Sequence, residues 1–151
     1  MPEAVPTALV VVLAVVGFVA FFVALWCVVV PALSLGGWFW LARHYRDRGP
    51  EPTGEAFRGA HAQIGWTGYR GLRVTVTDEA LHLSLPRLFQ LGHPPLRIPW
   101  EAFAAIPAGR LTFLIGAAFR VTPPGVRVFV RPKPVDAAVR AHVARDSPPF
   151  S

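Results

Sequence analysis

Any acid–base, nucleophilic or metal chemistry in this chain has to be built from five histidines, nine carboxylates and a single cysteine. The histidines are His44, His61, His82, His93 and His142, and no two stand three to five residues apart. A local pair of ring nitrogens at helical metal-binding spacing is therefore absent, and each reads as a surface or turn residue. Cys27 lies inside a long apolar run, which makes it a small hydrophobe rather than a thiolate and leaves no cysteine for a zinc site. The adjacent acids Asp78-Glu79 fall between two alternating apolar stretches, where a solvated turn is expected. His61, Tyr69, His82 and Glu101 are too dispersed to compose a site. Neither a phosphate-binding Gly-rich loop nor a nucleophile elbow occurs. The expectation is a protein without catalytic, cofactor-binding or metal residues, and not an enzyme.

Anion binding is the chemistry the basic residues permit, although topology and a solvated face are the simpler readings of them. The net charge is +6, from fourteen arginines and one lysine. Two basic sets stand out: Arg43, Arg46 and Arg48 directly after the apolar run, and Arg127, Arg131 and Lys133 on and beyond an alternating stretch. Either set offers contacts to anionic lipid, at about 1 kcal/mol per basic residue near a charged surface, or to an acidic partner. The first set also has a simpler role, because positive flanks fix membrane topology. A chain with a pI near 11 raises the question of nucleic acid. The arginines are dispersed and no basic recognition helix is evident, so nucleic acid is not expected.

These groups must be positioned by two very different regions. Between Glu3 and Arg43 there is no charged side chain. An apolar stretch of about 20 residues crosses a bilayer core of about 30 Å, so residues 7–30 read as one transmembrane helix. A cleaved signal peptide is not expected, since the N-terminus lacks Lys and Arg and the apolar core is too long. Pro31 should kink or end the helix. Ser34-Leu35-Gly36-Gly37 reads as a flexible joint, followed by a tilted or interfacial segment whose Trp38, Trp40 and Tyr45 serve as interfacial anchors. Ala20-x-x-x-Ala24 is a small-residue spacing that suits helix pairing, though an Ala-rich segment produces it readily by chance. All Lys and Arg residues lie at or beyond Arg43, which predicts a single-pass protein of the inner (plasma) membrane with its N-terminus outside and its C-terminal domain cytoplasmic. The expected organisation is an anchor over 1–46, a linker over 47–59, a domain over 60–146 and a tail over 147–151.

The domain carries a two-residue repeat. Leu72, Val74 and Val76 alternate with polar residues, Asp78-Glu79 forms a turn, and Leu81, Leu83 and Leu85 alternate again, giving a hairpin. Leu96 and Ile98 begin a short strand that Pro99 confines to an edge or ends. Leu111–Ile115 and Ala118–Val121 are apolar pieces, and Val126, Val128 and Val130 form a further strand after Pro123-Pro124-Gly125. Val135, Val139 and Val143 recur at helical spacing and predict an amphipathic helix docked on the sheet. The fold class is α+β: a transmembrane helix, then about seven short antiparallel strands as a small barrel or sandwich, closed by the C-terminal helix.

That order of elements resembles a pleckstrin-homology-like (PH-like) fold. The stretches Leu72-Arg-Val-Thr-Val-Thr-Asp-Glu-Ala-Leu-His-Leu83 and Ile98-Pro-Trp-Glu-Ala-Phe-Ala-Ala-Ile106 make the resemblance more particular. They are similar to segments of small bacterial membrane proteins in which a PH-like domain follows transmembrane helices, and the Arg-, Ala-, Pro- and Gly-rich composition suits a GC-rich bacterial genome. The resemblance covers about residues 72–143, with Ala80 where a Gly often stands and one helix where many relatives carry two. It implies architecture rather than activity. The basic first hairpin loop used by PH-like domains for phosphoinositides is replaced here by Asp78 and Glu79, which repel phosphate. The expected function is a membrane-anchored module that binds a partner protein or copies of itself, for instance by strand addition, which the acidic first hairpin favours; the alternative is a module that senses anionic lipid through its arginines.

Overall fold

The computed structural model of the chain describes residues 6–105, 118–131, 137, 138, 140–142 and 145. Helix α1 (Thr7–Ser34) is long and apolar enough to cross a membrane. At 1.5 Å per residue its 28 residues extend about 42 Å. None of its most apolar stretch is covered by the rest of the protein. Pro31, expected to kink or end the helix, does not end it. One further turn forms because the Ser34 hydroxyl donates to the Pro31 carbonyl at 2.6 Å. The N–H groups of Leu35, Gly36 and Gly37 then close on the carbonyls of Ala32, Leu33 and Ser34.

The segment after α1 is not a flexible joint. Ser34 is buried, and Gly36 and Gly37 lie against the tip of a β-hairpin. Trp66 N–H donates to Gly36 O at 3.1 Å, and the hydroxyl of Thr67 donates to Leu33 O at 3.3 Å. A Cβ on Gly37 would stand 2.6 Å from Ile64 O, and a Cβ on Gly65 would fall on the Gly36 carbonyl. Backbone therefore packs directly on backbone, which only glycine permits.

Helix α2 (Trp38–Tyr45) follows and belongs to the domain core. Trp38 and Leu41 are fully buried. The assignment of Trp38 as a lipid-interface anchor is thus corrected: its indole N–H donates to Pro94 O at 2.9 Å and its ring meets Tyr69. A large apolar ring with one polar atom is more stably placed where both demands are met, and this pocket meets them.

Seven antiparallel strands follow among the described residues: β1 (Glu55–Ile64), β2 (Thr67–Val76), β3 (Ala80–Ser84), β4 (Leu96–Pro99), β5 (Phe103–Ala105), β6 (Ala118–Val121) and β7 (Val126–Arg131). Their order in the sheet is β4-β3-β2-β1-β7-β6-β5. Strands β4 and β5 lie at opposite ends of that order, yet only the turn Trp100–Ala102 separates them in sequence. The sheet must curl until its edges approach, producing a near-barrel. Trp100 fills this seam, its backbone N–H on Glu79 O and its indole N–H on Thr77 O. Inward residues of successive strands, among them Leu72, Val74, Leu81, Leu83, Ile98, Val121 and Val128, form the core.

The hairpin β2–β3, the edge strand β4 ending at Pro99, and β7 match the alternation in the sequence. Strand β1 begins at Glu55, inside the stretch read as linker, which leaves only residues 46–54 as connection. Polar outward residues and the bulges around Gly59 disguise its alternation. The apolar piece 111–115 and the valine stripe 135–143 lie outside the described residues. The C-terminal residues that are described, 137, 138, 140–142 and 145, are helical. Ala138 packs on the core and the His142 ring stacks on Trp100 at 4.5 Å.

Candidate functional site

Strand direction defines one end of the domain. The β1–β2 tip, the loop 86–95 and the β6–β7 turn all gather at the exit of α1, since Thr67 reaches Leu33 O, Phe89 meets Trp26, and Tyr45 donates to Thr122 O at 3.1 Å. Strand β2 then carries the chain away for ten residues, about 33 Å, to the acidic β2–β3 turn.

At the helix exit, Arg43, His44, Arg46 and Arg48 line one shallow concavity of about 640 Å³ together with Phe39, Ala42, Gly92 and Pro94. Two elements position them. Helix α2 is pinned by Trp38 and Leu41, which turns Arg43 outward, its guanidinium 6.0 Å from the Phe39 ring centre and 5.9 Å from that of Trp40. The segment after α2 is held to the sheet edge: Arg46 bridges Leu96, and Asp47 N–H donates to Pro95 O at 2.8 Å.

Asp47 is the clamp. One carboxylate oxygen meets His82 Nδ1 at 2.9 Å and the other accepts from Gly49 N–H at 2.9 Å. Desolvation opposes ionisation of this carboxyl, but the Gly49 N–H, His82 and the nearby Arg97 outweigh it and hold its pKa below the usual value. The local turn Asp47-Arg-Gly49 is legible in sequence as an Asx turn, whereas the partner His82, on β3, is not.

The charge balance around the concavity is one-sided. Two acids elsewhere are paired: Glu51 with Arg73, and Glu79 with Arg97 at 2.6 Å. Arg43, Arg46 and Arg48 are exposed and have no ion-pair partner among the described residues. Desolvating three like charges together without a counter-charge is unfavourable, so their stable environment contains anions or water.

The second predicted set is divided. Arg127 lies near the helix exit, lining a concavity of about 520 Å³ with Trp40 and Trp66. It stands directly opposite Arg120, a like-charge cross-strand pair the sequence did not reveal. Arg131 sits four residues further along β7, about 13 Å away and opposite His61. Lys133 lies outside the described residues. Of the expected interfacial aromatics, Trp40 is exposed and Tyr45 half-buried, where burial raises its phenol pKa.

A buried polar pair went unrecognised in the sequence. Tyr69 donates to Leu33 O at 3.3 Å, and its oxygen is 3.3 Å from His93 Nε2. The other ring nitrogen of His93 is 3.3 Å from Leu91 O, and the rings of Tyr69, His93 and Trp38 pack edge to face or tilted. Burial pushes the Tyr69 pKa to about 12, only partly offset by Thr67. It also lowers that of His93, against the opposing contacts to the Leu91 and Phe89 carbonyls. With His93 2% and Tyr69 8% exposed, a substrate would reach them only by opening the core, so the pair joins α1, β2 and the loop 86–95 mechanically. Among the described residues no group of three or more His, Cys, Asp or Glu side chains is gathered as metal ligands. Comparison of the chain with protein families, characterised proteins and solved structures gave no match.

Proposed function

We propose that the protein is a single-pass, membrane-anchored binding module without catalysis, whose PH-like domain lies against the cytoplasmic leaflet and contacts anionic headgroups. The observation that carries this is the convergence of Arg43, Arg46 and Arg48 on one exposed concavity where the apolar helix enters the domain. Anionic lipid supplies the missing counter-charge at that depth. The seven-stranded near-barrel is compatible with the PH-like reading, and Glu79 of its acidic β2–β3 turn is neutralised by Arg97, which lines a neighbouring concavity with Arg46 and Arg48. Partner capture by strand addition is less well supported at β4, because Arg46 and Asp47 already occupy part of its outer edge.

The test is lipid selectivity of the full chain in mixed phosphatidylcholine and phosphatidylglycerol bilayers, with one or the other lipid brominated to quench tryptophan. The reading expects stronger quenching by the anionic lipid, weakening with salt and lost in Arg43→Gln/Arg46→Gln/Arg48→Gln. Equal quenching by both lipids, or an unchanged preference in the triple variant, refutes it.

A further inference from the structure

Among the described residues, every large apolar side chain left exposed belongs either to α1 or to three short segments that meet its C-terminal end. Beyond α1 itself they include Leu35 and Trp40 around α2, Trp66 at the β1–β2 tip, and Leu88, Phe89 and Leu91 in the loop 86–95. Trp66 is 90% and Leu88 68% exposed, values a water-facing loop seldom gives such residues. Elsewhere the sheet buries or half-buries its large apolar side chains among the described residues. The exposure is therefore directional.

We infer that these segments form an apolar collar that inserts into the bilayer interface around the exit of α1, a second and monotopic membrane contact made by the domain itself. The inference rests on α1 crossing the membrane, as proposed above, but not on headgroup charge. Three observations select lipid as the occupant. First, the collar is continuous with α1: the Phe89 ring is 5.3 Å from that of Trp26, and Gly92 lies so close to Pro31 that an added Cβ would stand 2.8 Å from its Cα. Second, the depth is right. Thr7 through Trp26 is 20 residues, and 20 residues rise about 30 Å, the thickness of the hydrocarbon layer. Phe89 then sits at the boundary where aromatic residues concentrate. Third, residues 31–46, 64–67 and 86–95 contain no acid, so no carboxylate has to be desolvated when they enter the interface. A protein partner on this face would have to share it with the bilayer that α1 enters.

The test uses the full chain carrying Cys27→Ser, with single cysteines Leu88→Cys, Leu91→Cys or Trp66→Cys bearing an environment-sensitive fluorophore, and Asp78→Cys as the distal control. These positions are exposed, so labelling leaves the core intact. In vesicles of neutral phosphatidylcholine alone, the collar labels are expected to shift to the blue and lose fluorescence to nitroxides placed just below the headgroup, while position 78 does neither. Neutral vesicles separate this contact from the arginine reading, which requires anionic lipid. Water-like emission at 66, 88 and 91 overturns the collar. So does a blue shift without nitroxide quenching that grows with protein density, since a second copy would then be the occupant.

Discussion

Replacing Gly65 by Ala isolates the packing of α1's exit on the sheet, because Gly71 provides a matched control. Both glycines adopt left-handed backbone, with φ of 63° and 72°. An alanine pays a similar conformational penalty of about 1–2 kcal/mol at either site. They differ in surroundings: a Cβ at Gly71 meets nothing within 4 Å, whereas at Gly65 it falls on the Gly36 carbonyl oxygen. Relief of that clash must separate the hairpin tip from the α1–α2 turn. The Trp66 N–H to Gly36 O bond is then lost, worth about 1 kcal/mol, and displaced packing adds roughly 1–3 kcal/mol. Gly65→Ala should therefore cost about 2–4 kcal/mol more than Gly71→Ala. For a domain of this size 1 kcal/mol moves the midpoint by about 4–8 °C, so the two melting temperatures should differ by at least about 8 °C. Thermal unfolding of the full chain in micelles, followed by near-ultraviolet circular dichroism of the buried Trp38 and Trp100, reads this difference. Equal midpoints for the two variants would refute direct backbone contact at the joint.

Other consequences follow from burial and ionisation. Trp38→Ala should destabilise the domain by about 3–5 kcal/mol, while Trp40→Ala, at an exposed site, should stay within about 0.5 kcal/mol, as chemical denaturation would report. His93 has a lowered pKa in the fold, so the unfolded chain binds more protons; its contribution is present above pH 6.5 and is lost as pH falls below it. His93→Phe should flatten that acid-side decline in a pH series of melting temperatures. Tyr69, raised to about 12, works in the opposite direction: its contribution holds below pH 10 and disappears as pH rises through 12, and Tyr69→Phe should remove this alkaline loss. Asp47→Asn should cost about 1.5–3 kcal/mol by weakening its bonds to His82 and Gly49, measured by the same melts.

Legibility in the sequence followed local pattern. The apolar helix and the strands β2, β3, β4 and β7 announce themselves through hydrophobic run length or two-residue alternation. What escaped depends on contacts between distant residues. Trp38 looks like an interfacial tryptophan until Pro94, Tyr69 and His93 enclose it, and Gly36-Gly37 looks like a flexible joint until Ile64 and Gly65 pack on it. Strand β1 was hidden by its polar outer face and bulges. At the candidate site, the cluster Arg43, Arg46 and Arg48 was visible as a charge run. Its fixation by Asp47 and His82, and the separation of Arg127 from Arg131, required the fold.

If the protein works as proposed, the basic concavity at the helix exit faces the bilayer. A spin label at position 44, between the arginines, can be compared with one at position 78 in full-length Cys27→Ser protein reconstituted in mixed anionic vesicles. Collisions with nickel chelated on lipid headgroups and with nickel chelate in solution give the height of each label. Strong relaxation by headgroup nickel is expected at 44, and by soluble nickel at 78. Equal or reversed responses would contradict it.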